Sequence, residues 1–319
     1  MESLSSHKAT IDWIEVNGVA TRVLCCGQRI TETGKKPDKL VLFICGNPGV
    51  TLFYKRFLEK LYRTTGITCW VLSHAGHETP PKNSGFYIPN LKTHPELYTV
   101  KGQVEHKLKF VEKYVPDKCN VYFGGHSIGS KVISEMLKDT IMISRINVKK
   151  VLFFFPALQK MRETPNGQKL IRTTTYLLST ILFFSWIFTL FPKFIKNFLV
   201  KVTLLIMEGR IVDDFVIQSA VVLVHPTVLQ NVFSMALDEM DNVYHLDTKP
   251  LNEHASKLHM YFGNCDNWAP ISFYHEIHEN VPEADAVLCD KGYLHAFVLN
   301  HSDEIAAIAA EWINADLKK

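Results

Sequence analysis

Five residues, Gly125-His126-Ser127-Ile128-Gly129, constrain the fold more than any other stretch. They follow an apolar run, Val121-Tyr122-Phe123, and precede a helix-like segment from Ser130 to Leu137. Strand, sharp turn and helix form the context in which G-x-S-x-G has chemical meaning. Such a turn strains the serine backbone, and a side chain at either flanking glycine would strike the strand or the helix. The product is a hydroxyl presented at a helix N-terminus. There the N–H of Ile128 can face a developing oxyanion. The pattern alone also fits an ordinary Gly/Ser turn between a parallel strand and its helix, so the rest of the chain has to discriminate.

With 319 residues and 47% apolar content, the chain can form one large α/β domain with an insertion, or two domains. A formal charge of +3, with no basic run and no Arg/aromatic interleaving, argues against nucleic acid as a partner. The seven cysteines are scattered, and no pair has metal-ligand spacing. That is reduced, intracellular usage; neither a metal nor a cofactor is expected. The N-terminal Met1-Glu2-Ser3-Leu4-Ser5-Ser6-His7-Lys8 lacks the apolar core of a signal peptide, so a cytosolic start is expected.

Taken in order, Ile11 to Val16, Asn17-Gly18 and Val19 to Cys26 read as a hairpin with a type I′ turn. Leu40 to Cys45 is a continuous apolar run, the signature of a strand buried on both faces. Gly46-Asn47-Pro48-Gly49 follows it directly. Alone this is a strand-to-helix turn; paired with the serine turn, it makes Asn47 the candidate second oxyanion donor beside Ile128. A helix is expected over Leu52 to Tyr62 and a strand over Cys69 to Leu72. Ser73-His74-Ala75-Gly76-His77 offers two histidines with no third ligand, so it reads as a loop lining the active-site mouth rather than a metal site. After an irregular stretch, Tyr98 to Tyr114 reads as a helix and Val148 to Phe155 as another buried strand. This alternation predicts a mostly parallel, doubly wound sheet.

The pattern changes after Pro156. Pro165-Asn166-Gly167 reads as a turn. From Thr173 to Pro192 no residue is charged, which is long enough for a membrane span. A single crossing is rejected: the serine precedes this run and its best partners follow it, so one crossing would part them. The second arm, Phe194 to Met207, carries Lys196 and Lys201 and is amphipathic, suited to lie in an interface. With Pro192 at the joint, the two arms form a hairpin that enters and leaves from one side. Leu177, Phe183, Phe184, Trp186, Phe188, Phe191 and Phe198 are the candidate membrane-associating residues. A dry cap over the active site is the competing reading. The expected layout is a core over residues 1–160, an apolar helical insertion over 161–250, and a return to the core over 251–319.

In that return, Lys257 to Phe262 reads as a strand that leads to Asp266, and Ala286 to Cys289 as one that leads to His295. The order Ser127, Asp266, His295 is that of an α/β-hydrolase triad. A serine hydroxyl needs an imidazole to take its proton, and the imidazole needs a carboxylate to fix its tautomer. Asp238, Asp241 and Asp247 are rivals for the acid, less well placed because they fall in the insertion or its exit.

Gly46-Asn47-Pro48-Gly49 with Phe53-Tyr54, Ser73 to His77, Gly102-Gln103 with His106-Lys107, Gly125 to Ser130, Pro165-Asn166-Gly167, and Asp266 with Trp268 and Pro270 together resemble the lipid droplet-associated hydrolase family, in an insect-type form. The resemblance implies an α/β-hydrolase-fold serine hydrolase on lipid droplets and endoplasmic reticulum, facing the cytosol. It implies a lipid ester substrate, with cholesteryl esters among the candidates. It puts Ser127, Asp266 and His295 at the triad positions and the apolar hairpin at the droplet-targeting region. Asn264-Cys265 before the acid, and Ala157 where a threonine is expected, depart from the family pattern and bear on substrate preference. A second reading is a droplet-surface organiser on a hydrolase scaffold with little turnover.

Overall fold

The computed structural model describes residues 8–34 and 36–318. Its sheet contains β1 (Thr10–Val16), β2 (Val19–Cys26), β3 (Lys39–Ile44), β4 (Thr68–Leu72), β5 (Asn120–His126), β6 (Asn147–Phe154), β7 (Leu258–Gly263) and β8 (Asp285–Cys289). The eight strands lie in the order β1-β2-β4-β3-β5-β6-β7-β8. β1 and β2 pair antiparallel through a tight turn in which Asn17 and Gly18 have φ of 50° and 73°. Positive φ at both positions is what a type I′ turn requires. β2 meets β4 antiparallel, and every pairing beyond is parallel.

The helices are α1 (Lys55–Thr65), α2 (Val100–Tyr114), α3 (Ile128–Met136), α4 (Thr140–Arg145), α5 (Pro165–Leu190), α6 (Lys193–Glu208), α7 (Asp214–Leu223), α8 (Pro226–Asn242), α9 (Thr248–Glu253), α10 (Ile271–Asn280), α11 (Phe297–Asn300) and α12 (Ser302–Leu317). Those outside the insertion cover both faces of the sheet, which is why β3 can be apolar throughout. Its side chains alternate between two cores. Leu40, Leu42 and Ile44 pack with Phe110 of α2, Val132 and Ile133 of α3, and Phe273 of α10. Val41 and Phe43 pack with Phe57 and Leu61 of α1 and with Ala309 and Ile313 of α12. The C-terminal ends of β3, β5, β7 and β8 therefore open on one edge, where sheets of this kind place their chemistry.

Between β6 and β7 the regular structure is helical among the described residues. Here one expectation fails. Pro165-Asn166-Gly167 is not a turn but the first turn of α5. Proline at the helix start loses no hydrogen bond, and the Thr164 side chain caps it by accepting from Gly167 N–H at 3.0 Å. The apolar run sits in a 26-residue helix that is long and apolar enough to cross a bilayer. Yet β6 and β7 are hydrogen-bonded neighbours in one sheet. An odd number of crossings between them is impossible. α5 instead runs along α8 and turns at Phe191-Pro192 into α6. Tyr176, Leu177, Phe183, Phe184, Trp186, Leu190, Phe191, Phe194, Phe198 and Ile206 stay exposed. Phe188 departs from the expected face: it packs against the small core of Val200, Val212, Val216 and Ile217.

The Ser73–His77 loop also departs from expectation. It does not line a mouth but is buried. His74 Nε2 lies 3.0 Å from the Cys45 carbonyl, and His77 Nδ1 accepts from Gly49 N–H at 2.9 Å. Both imidazoles thus brace the Gly46–Gly49 turn from behind. Beside them Arg22 pairs with Glu78 at 3.0 Å, and Lys107 Nζ donates to the Ser73 carbonyl at 2.8 Å.

Burial holds His74, His77, His106 and His126 below the ordinary imidazole range, His77 at about 3. The unfolded chain binds protons there from about pH 6.5 downward and the native state does not. This stability is complete above pH 6.5 and is lost as the pH falls below it. Glu78 and Glu239, raised by burial, act in the opposite sense: their contribution is complete below the ordinary carboxyl range and is lost as the pH rises, for Glu239 through about 8. With four imidazoles against two carboxyls, calorimetric Tm is expected to fall between pH 6.5 and 5, and less steeply in His77→Gln. A flat profile would contradict the burial argument.

Candidate active site

β5 ends in His126, and Ser127 follows with φ 53° and ψ −123°. A non-glycine residue there stores roughly 1–3 kcal/mol of strain. Neighbouring backbone holds it in place. Ser127 N–H donates to the Phe154 carbonyl of β6 at 3.0 Å, and the Ser127 carbonyl accepts from Ser130 N–H at 3.0 Å and Ala157 N–H at 3.2 Å. The two glycines of the motif are required by space. A Cβ on Gly125 would come within 2.8 Å of Ser130 N, and one on Gly129 within 2.4 Å of the Ile44 oxygen.

Ser127 is the N-cap of α3, but its side chain makes no capping bond. Its Oγ lies 2.9 Å from His295 Nε2 instead, and His295 Nδ1 lies 2.6 Å from Asp266 Oδ2. The other carboxylate oxygen of Asp266 accepts from Trp268 N–H at 2.7 Å and Ala269 N–H at 3.1 Å. A carboxylate only accepts, so the imidazole proton sits on Nδ1 and Nε2 is free to accept from the hydroxyl. The three residues come from loops after β5, β7 and β8. The rival carboxylates are engaged elsewhere: Asp238 with Val100 N–H, Asp241 with Arg162, and Asp247 with Lys138.

The Gly46–Gly49 turn lies against the serine. A Cβ on Gly46 would stand 3.1 Å from Ser127 Cβ. Ile128 is the first residue of α3, so its N–H has no partner within the helix. A buried chain of hydrogen bonds ties the turn to the histidine. Gly46 N–H donates to Tyr54 Oη at 2.8 Å, Tyr54 Oη is 2.7 Å from His126 Nδ1, and His126 Nε2 is 2.8 Å from the His295 carbonyl. The carbonyl can only accept, so His126 donates from Nε2 and receives the Tyr54 proton at Nδ1. Burial, and then the neighbouring His295, keep the His126 pKa well below the usual imidazole value, which suits this neutral tautomer.

From above, α8 closes the site. Asn47 Nδ2 donates to the Val232 carbonyl at 3.1 Å and to Glu239 Oε1 at 2.8 Å. Ile128 and Ala157 share an apolar cluster with Met235 and Met240 of α8, and Ser127 is only 8% exposed. Sequence reasoning missed Tyr54, His126 and Glu239 as parts of this assembly. Glu239 did leave a trace: it falls in register with Val228, Val232 and Met235 on the buried face of a helix, where a carboxylate is out of place.

The strand order and the placement of these residues at the strand ends define an α/β-hydrolase. In fold the chain is similar to an epoxide hydrolase from Vigna radiata, with a TM-score of 0.62 at 15% identity over 98% of this chain and 99% of that one. It belongs to the lipid droplet-associated hydrolase family, whose model, described as lipid-droplet associated hydrolase, matches residues 37–298. A Drosophila melanogaster lipid droplet-associated hydrolase is 33% identical over 94% of this chain and 97% of its own length. The human relative of the same description is 32% identical over 97% and 96%.

The space argument at the elbow predicts unequal costs for two glycines. Gly129→Ala drives a methyl group into backbone carbonyls that cannot yield and should cost about 3 kcal/mol. Gly66, at φ 68° with open space around it, should cost only about 1 kcal/mol as alanine. Urea unfolding of the two variants decides; equal losses would refute the clash.

Proposed function

We propose that this hydrolase is a serine ester hydrolase that works at a lipid surface. Ser127 Oγ attacks the ester carbonyl while His295 Nε2 takes its proton, and Asp266 holds the imidazole and stabilises its charged form. The N–H groups of Asn47 and Ile128 receive the oxyanion. His295 then protonates the departing alcohol, and water, deprotonated by the same imidazole, frees the acyl group. The observation that carries this reading is the continuous run of hydrogen bonds from Ser127 Oγ through His295 to Asp266.

The substrate we propose is a lipid ester. The relatives are named for lipid droplets, and Ile128 beside the serine packs in an apolar cluster with Ala157, Met235 and Met240. The location we propose is the droplet monolayer and the cytosolic side of the endoplasmic reticulum. A monolayer over oil has no second aqueous face, so only a segment that dips in and returns can serve there. Tyr176, Phe184 and Trp186 of α5 and Phe194 and Phe198 of α6 are exposed, and exposed aromatic side chains at this density mark a surface built to be covered by an apolar phase. The insertion proper runs over 161–250 in this reading, with the core on either side. A second reading, a droplet-surface organiser with little turnover, draws on the shielded serine at 8% exposure.

Reaction with a fluorophosphonate probe separates the two. Labelling of the native protein, lost in Ser127→Ala and reduced at least about a hundredfold in His295→Ala, is expected for the esterase; no labelling of the native protein favours the organiser. A panel of lipid esters with the same variants then names the acyl and alcohol groups. For the surface, Trp186→Ser with Phe184→Ser should weaken binding to phospholipid-coated triolein droplets by about tenfold or more, with Tm unchanged because both side chains are exposed. Unchanged flotation would reject this face.

A further inference from the structure

α8 reaches the core through one line of polar groups. Asn231 Nδ2 donates to the Gly76 carbonyl at 3.0 Å, and Asp238 Oδ2 accepts from Val100 N–H at 2.8 Å. Between them, the Val232 carbonyl and Glu239 Oε1 both accept from the Asn47 amide. The Val232 carbonyl cannot donate, so the amide orientation is fixed, with both its hydrogens turned to α8. The opposite atom, Asn47 Oδ1, is buried and has no hydrogen-bond partner. Among the described residues, then, only the cap holds the Asn47 side chain.

Glu239 is an unusual acceptor for this task. It is 5% exposed, and no cation pairs with it among the described residues. Burial pushes its carboxyl up to about 8, against a partial opposing effect of the Asn47 hydrogen bond. A carboxyl raised in this way stays uncharged over more of the neutral range than a surface carboxyl does. That suits a residue beside a developing oxyanion, since an ionised carboxylate there would oppose the charge that forms.

We propose that Glu239 is a positioning residue for the oxyanion turn: by holding the Asn47 side chain it keeps the Asn47 N–H aimed at the carbonyl oxygen on Ser127. The proposal rests on the serine hydrolase reading above. It makes the cap a working part of the site rather than a cover. α5 packs along α8, with Gly167 set against Met240, while its Ser185 Oγ donates to the carbonyl of Val224 at the end of α7.

The test uses the full-length protein, a short p-nitrophenyl ester and the fluorophosphonate probe. Glu239→Leu keeps the volume and removes the acceptor. It is expected to lower kcat and the labelling rate by roughly 10- to 100-fold, short of the full loss of a donor, with KM within about threefold. Glu239→Gln, which keeps an accepting oxygen, is expected to rescue the rate to within about threefold of native. Asn47→Ala cuts the same bond from the other end while its N–H remains, so Asn47→Ala with Glu239→Leu should be no worse than either alone. Amide exchange over residues 46–52, expected to quicken about tenfold in Glu239→Leu but not in Glu239→Gln, gives a readout free of catalysis. A native-like kcat in Glu239→Leu, a change confined to KM, additive losses or unaltered exchange each overturn the proposal. If the native protein neither labels nor turns over, the hydrolase reading fails, and the exchange data still decide whether Glu239 holds the turn. If Glu239→Leu does not fold, Asn47→Ala carries the same expectations for rate and exchange.

Discussion

The strained backbone at Ser127 is the constraint on which the rest of the molecule depends. A serine at φ 53° and ψ −123° would relax if its surroundings allowed it. They do not, because two neighbouring strands grip the turn. β6 supplies the Phe154 carbonyl to Ser127 N–H. β3 ends so close to Gly129 that a methyl group there would strike the Ile44 and Cys45 carbonyls. The elbow therefore exists only if β5 lies between β3 and β6, both parallel to it. The sheet order is a condition for the site as well as a frame for it. The same order sets β7 and β8 beyond β6, and their loops bring Asp266 and His295 to the hydroxyl.

Much of this was legible in the chain because the information is local. Apolar runs marked the buried strands, Asn17-Gly18 marked the hairpin, and glycines two residues either side of Ser127 marked the elbow. The sequence order of Ser127, Asp266 and His295 was enough to expect the hydrogen-bonded run that the structure contains. Reading failed where a residue's part depends on a distant segment. Pro165-Asn166-Gly167 has the composition of a turn, yet with Thr164 as a cap the same residues start a helix. His74 and His77 read as part of a loop lining the active-site mouth, but the fold buries them behind the Gly46–Gly49 turn. Phe188 sits among exposed aromatics in sequence but faces α6 and α7 in space. Tyr54 and His126 bond across 72 residues, and Glu239 meets Asn47 across 192; neither pairing has a local signature.

On the proposed reading, the insertion has to satisfy two solvents at once. α8 faces the protein and carries polar groups, each matched to a backbone or amide partner on the core. α5 and α6 face outward and carry aromatic and aliphatic side chains without protein partners to cover them. In water alone this division is unfavourable, since exposed apolar surface seeks burial. Against an oil surface it would become favourable, with the exposed Lys193 and Lys201 left for the headgroup layer.

That division also constrains how a lipid ester would reach the serine. The parallel strands end on one edge, α8 covers that edge, and α5 lies on α8. A molecule leaving an oil phase in contact with α5 and α6 is thus already on the side of the sheet where Ser127 sits. In the proposed reaction its carbonyl would have to pass α8, because Ser127 is nearly buried and α8 packs on its neighbours Ile128 and Asn47. The helix it must pass is the one whose side chains hold that turn. In the proposed reaction, entry and oxyanion binding would therefore make opposing demands on α8: displacement would admit the ester, and seating would aim the amide. A cap fixed by a few hydrogen bonds at spaced positions on one helix face can meet both in succession, yielding at one end while Glu239 and Val232 keep their grip at Asn47.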